Sequence, residues 1–239
     1  IAARLSDVGP NGAVTRVTYG LLNLAHREDH AMPEALEPGQ RCRVRVRLNH
    51  VAQRFPAGHR IRIALSSSYW PLAWPAPEAP RLTIHTEACG VTLPQRPPKT
   101  ADRRLRELGS PVSGEPLATT LLAPAHREWQ VTHNLATNEV TLDVVNNDAR
   151  YRIDGHDLEL QKDVTERYSY VNNNYDTVRG EVVGTRALRR GDWEATTITR
   201  TVLTSTRTHF RIRATLDAYE GESRIFAKSW DEEIPRDLV

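Results

Sequence analysis

The chain is short of several things a small protein commonly relies on. Cysteine is scarce: two in 239 residues, Cys42 and Cys89, which cannot build a disulfide framework. Both stand at strand-like positions, so two buried free thiols are expected. One Met and three Phe leave the core to Leu, Val, Ile, Trp and Tyr. Lysine is confined to Lys99, Lys162 and Lys228, and the arginine excess reads as a GC-rich bacterial coding bias. Charge of one sign is missing as well. The 32 Lys+Arg against 30 Asp+Glu give a formal +2, so nothing demands nucleic acid or an anionic membrane as a partner. No apolar run approaches the length of a membrane span, and a cytoplasmic location is expected. Ile1 opens inside a strand pattern without an initiating Met, which reads as the later part of a longer protein.

Catalytic motifs are also missing. A nucleophile elbow needs Gly-x-Ser-x-Gly or a close variant at a strand-to-helix turn. Gly109-Ser110-Pro111-Val112-Ser113-Gly114 has neither the spacing nor a preceding strand. The alternating strand–helix pattern of a hydrolase domain is absent, as are a phosphate loop and a Cys/His cluster with metal spacing. No catalytic residue, cofactor or metal is therefore assigned, and the chain by itself is expected not to be catalytic.

What is present is strand periodicity. With 39% hydrophobic and 26% charged residues the chain supports a real core. Residues 1–8 read as a strand closed by the turn Gly9-Pro10-Asn11-Gly12, and residues 13–24 as its return. In residues 41–48 Cys42, Val44, Val46 and Leu48 alternate with Arg41, Arg43, Arg45 and Arg47, the clearest period-2 signal in the chain. Four arginines in a row suggest an anion patch, but a solvated face pairing with neighbouring carboxylates is favoured. After the Phe55-Pro56-Ala57-Gly58 turn, Ile61, Ile63 and Leu65 alternate with Arg60, Arg62 and Ala64. His59 sits between turn and strand and is read as bonding turn backbone. Residues 81–87 read as a further strand, and residues 91–93 close the module.

Two clusters invite functional readings. His26 and His30 are four apart with Asp29 between, a zinc spacing if on a helix. Pro33 and the preceding strand argue for a polar crossover loop instead. Tyr69-Trp70-Pro71-Leu72-Ala73-Trp74-Pro75 is stiff and aromatic. It fits a loop docking on another domain, or a sugar-stacking platform with exposed coplanar rings. Docking or core packing is favoured, with Tyr69, Trp70 and Trp74 as candidate interdomain or ligand contacts.

Residues 94–116 are proline-rich around a possible helix at 101–108, with Thr100 as N-cap and Gly109 as stop. The division expected is 1–97, a jelly-roll-like β-sandwich; 98–116, a linker; and 117–239, a second antiparallel β unit, an open or barrel-like meander. Strands are expected near residues 127–134, 139–145, 151–153, 158–163 leading into 166–171, 179–188, 193–204, 208–219 and 224–230.

Three stretches carry a family resemblance. Residues 55–71, the opening Ala3-Arg4-Leu5-Ser6-Asp7-Val8-Gly9-Pro10-Asn11-Gly12 and Gly20-Leu21-Leu22-Asn23-Leu24-Ala25-His26-Arg27 resemble, in order, the C-terminal β-domain of the CocE/NonD hydrolases. These are serine esterases related to the Xaa-Pro dipeptidyl-peptidases, and the likeness spans residues 1–97. It implies a non-catalytic jelly roll beside an α/β-hydrolase domain of the same protein, bracing that domain and walling its active-site cleft. The Ser-His-Asp triad would precede this region. Residues 117–239, closing on Trp230-Asp231-Glu232-Glu233-Ile234-Pro235-Arg236-Asp237, look like an extension carried by a bacterial subset of the family. A homo-oligomer is compatible with this reading. The alternative is an independent carbohydrate- or ligand-binding module.

Overall fold

A computed structural model describes residues 1–238 and is all-β and antiparallel, as the alternation implies. Strands β1 (Ala2–Val8), β2 (Val14–Leu21) and β3 (Arg60–Ser66) form a three-stranded sheet in the order β2-β1-β3. The central strand carries its core, with Ala2, Ala3, Leu5 and Val8 all buried. A bulge opposite Leu5/Ser6 leaves Val17 of β2 as the extra residue and bends β2 against β1.

The second sheet contains β4 (Thr119–Ala123), β5 (His126–Asn134), β6 (Glu139–Asn147), β7 (Arg150–Ile153), β8 (Leu158–Val171), β9 (Asn174–Arg190), β10 (Trp193–Ser205), β11 (His209–Glu220) and β12 (Ser223–Pro235). Its order is β12-β11-β10-β9-β8-β6-β5. The long β8 has room on one edge for both β6 and β7, and β4 extends from β7. Hairpin turns use the residues that tolerate the left-handed region: Asn172 and Asn173 both have φ near +53°, and Gly191 and Gly221 have φ +56°.

Register sorts the side chains of this sheet. Val131, Leu142, Tyr168, Gly180, Leu203 and Ile212 lie in one row on one face. The adjacent row on the other face is Gln130, Asp143, Arg167, Glu181, Val202, Arg213 and Asp231. The polar face is laced by ion pairs, including Arg167–Asp143 at 2.7 Å, Arg200–Glu181 at 2.6 Å and Arg211–Asp231 at 3.0 Å. Exposed pairs of this kind stabilise little. Their role is to set which face meets water, since a one-residue slip would exchange the two rows.

Of the open or barrel-like meander expected after the linker, the structure takes the open form, a sheet ending at β12 and β5. Several other expectations are corrected. Residues 41–48 join no ladder. They keep the expected alternation, with Val44, Val46 and Leu48 half-buried and the arginines exposed. Residues 47–49 meet β2 only locally: Asn49 donates its N–H to Tyr19 O (2.9 Å), and Thr18 Oγ1 donates to Asn49 O (2.8 Å). Residues 81–87 form no strand; a groove of roughly 210 Å³ separates Pro80, Leu82 and Ile84 from Leu65 and Ser66, and a single 3₁₀ turn follows at Thr86–Ala88. Residues 91–93 form no strand either. The helix expected at 101–108 is one 3₁₀ segment, Thr100–Arg104, entered where Asp102 accepts the Lys99 N–H (3.0 Å). Cys42 and Cys89 are free but exposed, not buried, because their segments lie outside the sheets.

The backbone of residues 47–48 passes so close to β2 that a Cβ added at Gly20 would stand 2.0 Å from Arg47 O. Gly20→Ala should therefore cost roughly 1–3 kcal/mol and lower the urea midpoint. An unchanged midpoint would show that this segment does not lie on β2.

Candidate functional site

The aromatic loop after β3 is the place where the two sheets meet. Tyr69 faces its own sheet. Its ring stands edge-on to Tyr19 (centroids 5.4 Å), the Arg4 guanidinium lies 5.1 Å from its centroid, and Arg16 donates to its hydroxyl. Trp70 and Trp74 turn the other way. They are perpendicular to each other (4.8 Å, 88°). Trp70 stands edge-on to Tyr168 of β8 at 5.7 Å, and Trp74 edge-on to Phe210 of β11 at 6.0 Å. Gly180 of β9 makes the room: a Cβ there would already touch Tyr168 at 3.4 Å and Trp70 at 3.9 Å, so any larger side chain would compete with the indole for the same space.

Polar groups lock these rings. Trp74 Nε1 donates to Ser205 Oγ at 2.8 Å. Arg236, beyond β12, is 9% exposed. It donates to Ser205 Oγ (3.2 Å), Thr206 O (3.1 Å) and Pro75 O (2.5 Å), and its guanidinium covers the Phe210 ring at 4.6 Å. Burial pushes its pKa down, opposed by the charge of Asp176. A planar fork with several donors suits this junction, because three acceptors from two separate segments converge on it. Tyr168 donates its hydroxyl to the Glu166 carboxylate. Burial first, then that carboxylate, raises the Tyr168 pKa to about 12.

This arrangement is packing. The Trp rings are half-buried and perpendicular, not the exposed coplanar platform that sugar stacking needs. His59 Nδ1 pairs with Asp7 Oδ1 at 2.8 Å instead of with turn backbone, since the pairing of β3 with β1 sets Asp7 beside the turn that opens β3. Among the described residues no Ser or Cys shares a hydrogen bond with either, so the pair orients no nucleophile. His26 and His30 do approach each other, but across a 3₁₀ turn and loop rather than on an α-helix. Asp29 does not join them; its Oδ1 accepts the Ala31 N–H (2.9 Å). Among the described residues no group of three or more His, Cys, Asp or Glu converges as a closed metal site would require, and no helix is long and apolar enough to cross a membrane. Sequence reasoning singled out the aromatic loop but not its receptor. Arg236 lay in the closing motif, where a Pro–Arg step after a strand was the available signal.

Three measurements check this geometry. Arg236→Met should cost about 1–3 kcal/mol, since it strands the buried Pro75 O. Trp74→Phe and Ser205→Ala should couple by about 1 kcal/mol in a double-mutant cycle, and full additivity would count against the bond between them. Tyr168 is raised in the folded state, so its neutral form stabilises the fold below the unfolded value of about 10. That contribution is lost as pH rises toward 12. Ultraviolet titration should show one of the seven tyrosines ionising late, and Tyr168→Phe should remove that component.

Comparison with known families matches residues 1–130 to the X-Pro dipeptidyl-peptidase C-terminal non-catalytic domain. No curated protein and no solved structure matches the chain. The matched stretch runs from β1 through the aromatic loop and into β5, and it covers more than half of the chain. The chain belongs to the family of X-Pro dipeptidyl-peptidase C-terminal non-catalytic domains.

Proposed function

We propose that this chain is the non-catalytic β region of a CocE/NonD-type serine hydrolase, packed against an α/β-hydrolase domain of the same protein, which it braces and whose active-site cleft it helps to wall. One observation carries the reading. The chain exposes 18148 Å², whereas a compact chain of 27.0 kDa would expose roughly 11,000 Å². The excess is larger than a standard protein–protein interface needs. Part of it is apolar: Trp129 and Val131 on β5 are 75% and 66% exposed and share a face with the row that Trp70 covers further along. In this reading the Tyr69, Trp70 and Trp74 loop holds the two β units, 1–97 and 117–239 with their linker between, in one orientation. The uncovered part of the same face receives the hydrolase domain. A bacterial, cytoplasmic setting accords with the arginine-rich composition and the two free cysteines.

The chain alone should neither hydrolyse ester substrates nor react with a serine-directed activity probe; a labelled serine would overturn the reading. In the full-length protein, Trp129→Asp with Val131→Asp should lower the melting temperature and the specific activity together. Wild-type stability and activity in that variant would place the hydrolase domain elsewhere.

A further inference from the structure

The loop between β2 and residue 34 is braced without using its two histidines. Asn23 Oδ1 accepts the Ala25 N–H (3.0 Å) at the start of the 3₁₀ turn Leu24–His26. The Glu34 N–H returns to Ala25 O (2.8 Å). Arg27 ties both ends, donating to Leu24 O (3.2 Å), Glu34 O (2.9 Å) and the Glu34 carboxylate (3.2 Å). On this frame the His26 and His30 rings come to 5.5 Å between centroids, tilted by 43°, with the two Nδ1 atoms 3.4 Å apart.

That separation is long for an N–H···N hydrogen bond, and two protonated nitrogens facing each other would repel. It does match another arrangement. Two imidazole nitrogens bound to one tetrahedral zinc ion at about 2.0–2.1 Å are about 3.4 Å apart. We propose that His26 and His30 form a two-histidine site for a divalent transition-metal cation of the zinc class, held through both Nδ1 atoms. Water fills the remaining positions, because no third protein ligand converges among the described residues. Neutral imidazole suits zinc, nickel and copper and not magnesium or calcium. Each ring binds as the tautomer protonated on Nε2, so each carries its proton on the nitrogen away from the metal. The two open positions make this an exchangeable surface clip that stiffens the loop, distinct from a closed structural zinc site.

The test is equilibrium dialysis of the full chain against zinc chloride, alone and with excess magnesium. One saturable zinc per chain, undisturbed by magnesium, is expected. His26→Ala and His30→Ala should each weaken it by at least roughly tenfold, while His50→Ala should leave it unchanged. A second readout needs no variant: zinc should protect His26 and His30 of the wild-type chain from diethylpyrocarbonate, with the other seven of its nine histidines still modified. Absence of saturable binding, binding that survives both substitutions, or protection of other histidines instead would each overturn the site.

Discussion

The main link between the two sheets is the buried guanidinium of Arg236 with the indoles beside it; Asn23 donating to Leu238 O (2.7 Å) and the Arg207–Glu78 pair (4.0 Å) add exposed contacts. Among the described residues no strand of the three-stranded sheet lies beside a strand of the nine-stranded one. The two are joined by side chains: Trp70 on Tyr168, Trp74 on Phe210 and Ser205, and Arg236 reaching back to Pro75 O. A buried cation is costly to desolvate and is tolerated where its donors are satisfied. Here three acceptors meet that condition for the two terminal nitrogens and the Phe210 ring covers one face, while the buried Nε has no partner. Because the acceptors belong to the loop after β3 and to the β10–β11 connection, the terminal nitrogens are satisfied only when both segments are in place.

This economy explains why so much surface remains open. Each sheet secures its own register through cross-strand pairs, and the joint between them occupies one end of the apolar face. The rest of that face, around Trp129 and Val131, has the chemistry of a core position without a cover. For a member of a non-catalytic C-terminal family such a face is consistent with a partner supplied by the catalytic part of the same protein. The charged face has no comparable demand. Its arginines and carboxylates neutralise one another across strands, and burial of Glu181, which pushes its pKa up, is outweighed by its hydrogen bonds to Arg179 and Arg200.

Legibility in the sequence followed the range of the interaction. The strands from β5 to β12 were readable in place and order, since period-2 alternation and Asn, Asp or Gly turns are local signals, although β9 starts five residues earlier and β12 ends five later than the alternation implied. Residues 41–48 show the limit. Their alternation is real and is reflected in the half-buried Val44, Val46 and Leu48, yet a ladder also needs a neighbour with free backbone groups in register, and only residues 47–49 find one. The exposure of Cys42 and Cys89 has the same cause. The aromatic loop stood out because Trp and Tyr in a proline-stiffened stretch suit docking, core packing or ring stacking, and in the structure Trp70 and Trp74 pack on the chain's own nine-stranded sheet. Its receptor was not recognisable, because Ser205, Phe210, Tyr168 and Gly180 are ordinary strand residues until the meander places them side by side.

The sequence by itself determined the all-β class, the antiparallel hairpins, the absence of a hydrolase elbow and the family to which the chain belongs. Each of these rests on residues close together in the chain. Tertiary structure alone decided that the second unit stays open, that Arg236 closes on a loop 161 residues away, and that His26 and His30 turn their Nδ1 atoms toward each other. The reason is physical: burial and convergence depend on which distant segments meet, and period and composition say which face is apolar without saying what will cover it.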